Sequence, residues 1–163
     1  MIPDKEVVFE RTLDASPEAV WQAWTRPGMI REWWGPHGVS IPSCSVDLRV
    51  GGRISIVMEA GEAMGPFKGT RWPMEGIFTA VEPETGLSYR SKAWTEGRKE
   101  RTEIDQRTAL TLKGVEGKTH LNLQVTIDRT GPDAGMAVQG MQAGFTQQLE
   151  KLEKFLAKPQ STG

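Results

Sequence analysis

Apolar and polar residues alternate through most of this chain, and the period of the alternation changes near both ends. From Glu6 to Leu13 (EVVFERTL), β-branched and aromatic residues interleave with charges, which predicts a first strand with one wet face. The stretch ASPEAVWQAWT then moves to helical spacing, with Val20, Ala23 and Trp24 at i, i+3 and i+4. Ser16 stands where a cap belongs, Pro17 occupies the first helical position at no cost in hydrogen bonds, and Glu18 lies near the positive helix end. Pro27 and Gly28 break the run, and a second short helical turn is predicted from Met29 to Trp34.

Neighbours on a helix point about 100° apart, so Trp33 and Trp34 cannot face the same surroundings. One is expected to pack and the other to line a space. Gly35 before Pro36 is pushed away from helical angles, and Gly38 is free to adopt angles closed to other residues, which predicts a chain reversal.

A period of two follows, in CSVDLRV, RISIVME, MEGIFTAVE, LSYRSKAW, TALTLKG and THLNLQVTI, which predicts about six further strands. The last two form an antiparallel hairpin over Val115 to Lys118, with Leu110, Leu112, Leu121, Leu123, Val125 and Ile127 on one apolar face. That face needs a cover. Between Met136 and Lys158, the residues Val138, Met141, Phe145, Leu149, Leu152 and Leu156 recur at steps of three or four, which predicts a long amphipathic helix. Gly140 and Gly144 inside it cost about 1 kcal/mol each relative to Ala, so they are expected to allow a close approach or to leave room for something bound.

Composition narrows the function classes. The 163 residues suit one domain over residues 1–163, with a core at about 7–156 and a frayed tail after 158. Twenty Lys and Arg against twenty-one Asp and Glu give a net charge of -1, so no global positive field attracts nucleic acid. Cys44 is alone and makes no internal disulfide, and neither a signal-type segment nor a membrane-spanning run is present. A cytoplasmic, non-membrane protein is expected.

The segments WTRPGMIREWWGPHG, CSVDLRVGGRISIVM and MEGIFTAVEPETGLSY, in that order, resemble the family related to the activator of the 90-kilodalton heat-shock-protein ATPase, within the START-like superfamily. Trp33-Trp34-Gly35-Pro36 and Asp47-Leu48-Arg49-Val50-Gly51-Gly52, at their mutual spacing, carry most of the likeness, which runs from about Val7 to Leu156. The resemblance implies an α+β helix-grip fold: a curved antiparallel sheet around a long C-terminal helix, with two short helices after the first strand and a space between sheet and helix. Relatives often carry Gly-Trp in the final helix where this chain has Gly144-Phe145.

Candidate chemistry is sparse. His37 and His120 have no partner at metal-ligand spacing, so neither a metal nor a cofactor is expected. Cys44 has no local base and reads as a small packing residue. No nucleophile elbow, phosphate loop or dinucleotide fingerprint is present. Trp33, Trp34, Met58, Met74, Phe78, Trp94, Met141 and Phe145 are instead candidates to border a pocket for a small hydrophobic or amphipathic guest, with His37, Glu59 and Arg71 as candidate polar contacts. The alternative for the apolar set is a solid core.

Three functions compete. The first is non-catalytic binding of that guest. The second, implied by the resemblance, is a stress-related interaction module with a chaperone ATPase as partner; a homodimer through edge strands and exposed tryptophans belongs with it. The third is a polyketide-cyclase-like enzyme, which requires at least one of His37, Glu59, Arg71, Glu75 and Arg90 to point inward.

Overall fold

The computed structural model describes residues 5–97, 103–131 and 135–157. The Ser16 hydroxyl accepts a hydrogen bond from the Ala19 N–H at 3.2 Å and starts α1 (Pro17–Thr25), and Pro27 starts α2 (Pro27–Trp33). These helices link β1 (Lys5–Leu13) to β2 (Val39–Val46). The strands β3 (Arg53–Ala60), β4 (Arg71–Glu82), β5 (Gly86–Trp94), β6 (Glu103–Val115) and β7 (Lys118–Thr130) follow, before α3 (Gly135–Ala157).

One antiparallel sheet holds all seven strands in the order β1-β7-β6-β5-β4-β3-β2. Each connection from β2 to β7 is therefore between neighbours, and β1 returns to pair with β7, Val7 opposite Val125 and Phe9 opposite Leu123. The register shifts at Ser40/Ser43, Phe78/Ala80 and Asp105/Gln106. Such bulges bend a strand and strengthen its twist, which suits a sheet curved into a half-barrel.

The concave face is the apolar one that the alternation predicts. Leu121, Leu123, Val125, Leu110, Leu112 and Ile56 are buried there in one cluster with Leu149 and Leu152 of α3. The Phe145 ring on α3 lies 5.6 Å from that of Phe9 on β1, so the helix seats on the concave face by ring and leucine contacts. Fully burying one such side chain contributes roughly 1.5–3 kcal/mol. At the other end of the cluster, Trp24, Trp33 and Trp34 form a triangle with ring centroids 4.8–5.8 Å apart. Trp33 is wholly buried and donates its indole N–H to the Ala23 carbonyl at 3.0 Å.

Several elements begin elsewhere than the alternation suggests. β2 ends at Val46 instead of running on to Val50, and Asp47–Gly52 is a turn. In it the Asp47 carboxylate holds the Arg49 guanidinium at 2.9 Å, and Gly52 passes so close to the Asp47 carbonyl that a side chain would collide with it. Pro42 is tolerated inside β2 because β2 is an edge strand. β4 starts at Arg71 because Arg71, Trp72 and Pro73 pair with Glu59, Met58 and Val57 of β3, while the β4–β5 ladder lapses at Pro73, between the Met74–Ala93 pair and the isolated Arg71–Glu96 bridge. β6 reaches back to Glu103 because its polar residues pair across the wet face, Arg107 with Asp128 at 2.9 Å and Asp105 with Arg129 at 3.7 Å.

The expected exposed tryptophans are absent: Trp21, Trp24, Trp33 and Trp34 are buried, and Trp72 and Trp94 are half-buried. Val138 and Gly140 on the predicted helical stripe, and the tail after 158, lie outside the residues whose side chains are described.

Candidate functional site

Strands, the chain reversal and α3 fail to close on one another at one end of the concave face. Trp34 and Pro36 enter from the chain reversal, Met58 from β3, Trp72 and Met74 from β4, Tyr89 and Trp94 from β5, and Met141, Gly144, Phe145 and Gln148 from α3. They surround a cavity of about 360 Å³. Ligand sites usually hold about 300–1,000 Å³, so the space is adequate for a small molecule and is at the lower end of that range.

Gly144 shapes this cavity directly. A Cβ added there would meet nothing within 4 Å, so the missing side chain leaves open volume on the helix face turned to the pocket. Gly35 does the opposite. It has φ +83°, and a Cβ there would press on Val39 Cγ2 at 2.7 Å and Met58 Sδ at 2.8 Å. The reversal therefore needs glycine both for its left-handed angle and for the methionine that walls the pocket.

Polar groups around the cavity are few. The Gly35 N–H donates to Gln148 Oε1 at 2.9 Å, and the His37 N–H donates to Gln147 Oε1 at 3.0 Å. Lys151 Nζ donates to the carbonyls of Trp34, Gly35 and Pro36 at 3.1, 3.2 and 3.5 Å. Burial lowers the Lys151 pKa below the usual lysine value. Among the described residues lining the pocket, Tyr89 is the one titratable group. Burial, partly countered by its neighbour Thr108, pushes its pKa up to about 12, so the phenol is neutral at physiological pH.

Of the candidates named from sequence, Trp34, Met58, Met74, Trp94, Met141 and Phe145 line this cavity together. Trp33 and Phe78 do not. Trp33 packs behind Trp34, and Phe78, only 2% exposed, stacks edge to face on Tyr89 at 6.0 Å. His37 is exposed, and Glu59 and Arg71 pair with each other at 2.8 Å, away from the cavity lining. Glu75 and Arg90 are also exposed. Cys44 is half-buried against the core, and its thiol pKa is raised by burial, with Arg31 opposing.

Sequence reasoning missed Trp72, Tyr89 and Gln148. Trp72 shares a strand face with Met74 at the period of two, but Pro73 concealed that the strand extends so far. Gln148 falls at i+3 from Phe145 and i+4 from Gly144, the one polar side chain on that stretch of the stripe.

A second concavity, of about 750 Å³, lies on the convex face and is wetter. Arg53, Glu75, Arg90, Lys92, Asp105 and Asp128 line it around the exposed Ile77. Among the described residues, no three His, Cys, Asp or Glu side chains are grouped to hold a metal, and no helix is long and apolar enough to cross a membrane.

Known proteins place this geometry in a family. The chain resembles a solved structure from Chromobacterium violaceum with a TM-score of 0.74 at 22% identity, over 96% of this chain and 100% of the other. A Mesorhizobium loti structure is 28% identical, with a TM-score of 0.64 over 93% and 96% of the two chains. The AHSA1 protein of Silicibacter pomeroyi gives 0.68 at 23% identity over 94% and 98%. No match was found among proteins of curated function. A family profile described as activator of Hsp90 ATPase homolog 1-like protein covers residues 14–157, and with the helix-grip architecture and the Trp-Trp-Gly-Pro reversal in place, the chain belongs to that family.

Proposed function

We propose that this protein is a non-catalytic domain that binds a small hydrophobic or amphipathic molecule between its sheet and α3. The observation that carries this reading is the cavity of about 360 Å³ walled by methionines and aromatic rings, with its helical side left open at Gly144. Thioether and aromatic walls adapt to apolar guests of differing shape. A cyclase-type reaction finds little support, because His37, Glu59, Arg71, Glu75 and Arg90 lie outside the lining and Tyr89 is held neutral. A thermal-shift screen with small aromatic and branched apolar compounds tests the proposal. Ligands should raise the melting temperature of the wild type and leave Gly144→Phe unmoved, since the added ring occupies the cavity. Equal shifts in both proteins, or none in the wild type, count against it.

A second reading, modulation of a chaperone ATPase, is favoured by the family description and by the convex-face groove. Arg53, Glu75 and Arg90 there have no ion-pair partner among the described residues, which leaves them available to a protein surface. Stimulation of an Hsp90-type ATPase that is lost in Arg53→Glu/Arg90→Glu would support this reading, and unchanged turnover with the wild type would count against it.

A further inference from the structure

Gln148 is only 4% exposed, and its side-chain amide is half used. A backbone N–H can only donate, so the contact with Gly35 N identifies the amide oxygen and fixes which way the group is turned. The nitrogen is the end left over. Gln148 Nε2 is buried with no hydrogen-bond partner among the described residues, on a side chain that lines the cavity. Buried donors without partners are uncommon in folded proteins, because losing water without replacement destabilises the fold. The protein already bears that cost, so an acceptor arriving with a ligand gains a hydrogen bond without a further dehydration penalty on the protein side.

The rest of the wall says what that acceptor is attached to. Among the described lining residues none carries a charge, and the remaining amide, Gln106, is only half-buried, so it is not forced to find a partner in the ligand. Lys151, the nearby cation on α3, is outside the lining and is already engaged by three carbonyl groups. A carboxylate or ammonium entering this space would lose its hydration with no opposite charge to meet it.

We propose that the cavity selects uncharged apolar molecules bearing one hydrogen-bond acceptor, a carbonyl or ether oxygen, which Gln148 Nε2 anchors. This rests on the ligand-binding reading above and adds to it a ligand class and the residue that reads it.

Three probes of matched shape separate the possibilities: 2-acetonaphthone, 2-isopropylnaphthalene and 2-naphthoate. Their dissociation constants are measured by calorimetry at neutral pH on the wild type and on Gln148→Met, which keeps the bulk and removes the donor. On the wild type the ketone should bind about tenfold tighter than the hydrocarbon, and the naphthoate should bind more weakly than the ketone by at least as much. Gln148→Met should lose the preference for the ketone while still binding the hydrocarbon, which reports an intact cavity. Equal affinity for ketone and hydrocarbon on the wild type would overturn the anchor and leave the cavity reading standing. Failure of all three probes on the wild type would overturn the cavity reading and the anchor together.

Discussion

Gln148 on α3 accepts a hydrogen bond from the Gly35 N–H across 113 residues of sequence, at 2.9 Å. The bond ties the middle of the long helix to the reversal that follows the paired tryptophans, so the cavity wall and the turn are one unit. Gly35→Ala tests this coupling. The new methyl would require a left-handed angle from an L-residue and would push on Val39 and Met58 at under 3 Å. Together these should cost about 2–4 kcal/mol, visible as a lower urea midpoint at unchanged slope. A midpoint within error of the wild type would show that the turn is looser than its geometry implies.

Gly144 should respond with the opposite sign. Its helical backbone is ordinary and its Cβ site is empty, so Gly144→Ala removes only the entropy cost of glycine in a helix. Stability should rise by about 0.5–1 kcal/mol, measured by urea denaturation. The volume open to a guest falls at the same time, so affinity for any cavity ligand should drop as stability rises. A variant less stable than the wild type would mean that the space beside Gly144 is filled.

The contrast between these glycines shows how far the sequence could be read. Gly35 before Pro36 announces a turn from its neighbours alone, and Gly144 within an apolar stripe announces either contact or space. Which of the two applies depends on what lies opposite, and strand register decides that. Met58 and Met74 were legible as inward-facing from the period of two. Phe78 was equally inward by that rule and yet stacks on Tyr89, because the wall of a pocket and the packing behind it have the same periodicity. Trp33 and Trp34 divided, one packed and one on the cavity, but α2 ends at Trp33 and Trp34 is already extended at ψ 144°, so the turn out of the helix separates them and not the helical step. Gln148 was not legible, since a lone polar residue on an apolar stripe acquires meaning only with its partner from the far end of the chain.

Cys44 should be a slow nucleophile. Burial raises its pKa, and Arg31 only partly opposes this, so the thiolate fraction at mildly alkaline pH is below that of an ordinary thiol. Alkylation by iodoacetamide at about pH 8 should run at least roughly tenfold slower in the folded protein than in urea. Matching rates in the two states would show an accessible, ionised sulfur.

Lys151 links the reversal to pH. Its ammonium donates to three consecutive carbonyls, from Trp34 to Pro36, and so satisfies acceptors of the reversal that follows α2. Burial nevertheless lowers its pKa below the 10.5 of a free lysine. The folded chain therefore releases this proton before the unfolded chain does. Between the lowered folded value and 10.5 the unfolded state holds more protons, so Lys151's contribution to stability increases as pH rises through that window. Below the window both states are protonated and the contribution is flat. Urea midpoints measured from about pH 7 to 10.5 on the wild type and on Lys151→Met isolate the effect, because every other titration is common to both. The stability difference, wild type minus variant, should be level near neutrality and climb in the alkaline range. A difference that falls with rising pH would mean that the three carbonyls hold the ammonium more tightly than its burial weakens it, and the assigned direction of the shift would be wrong.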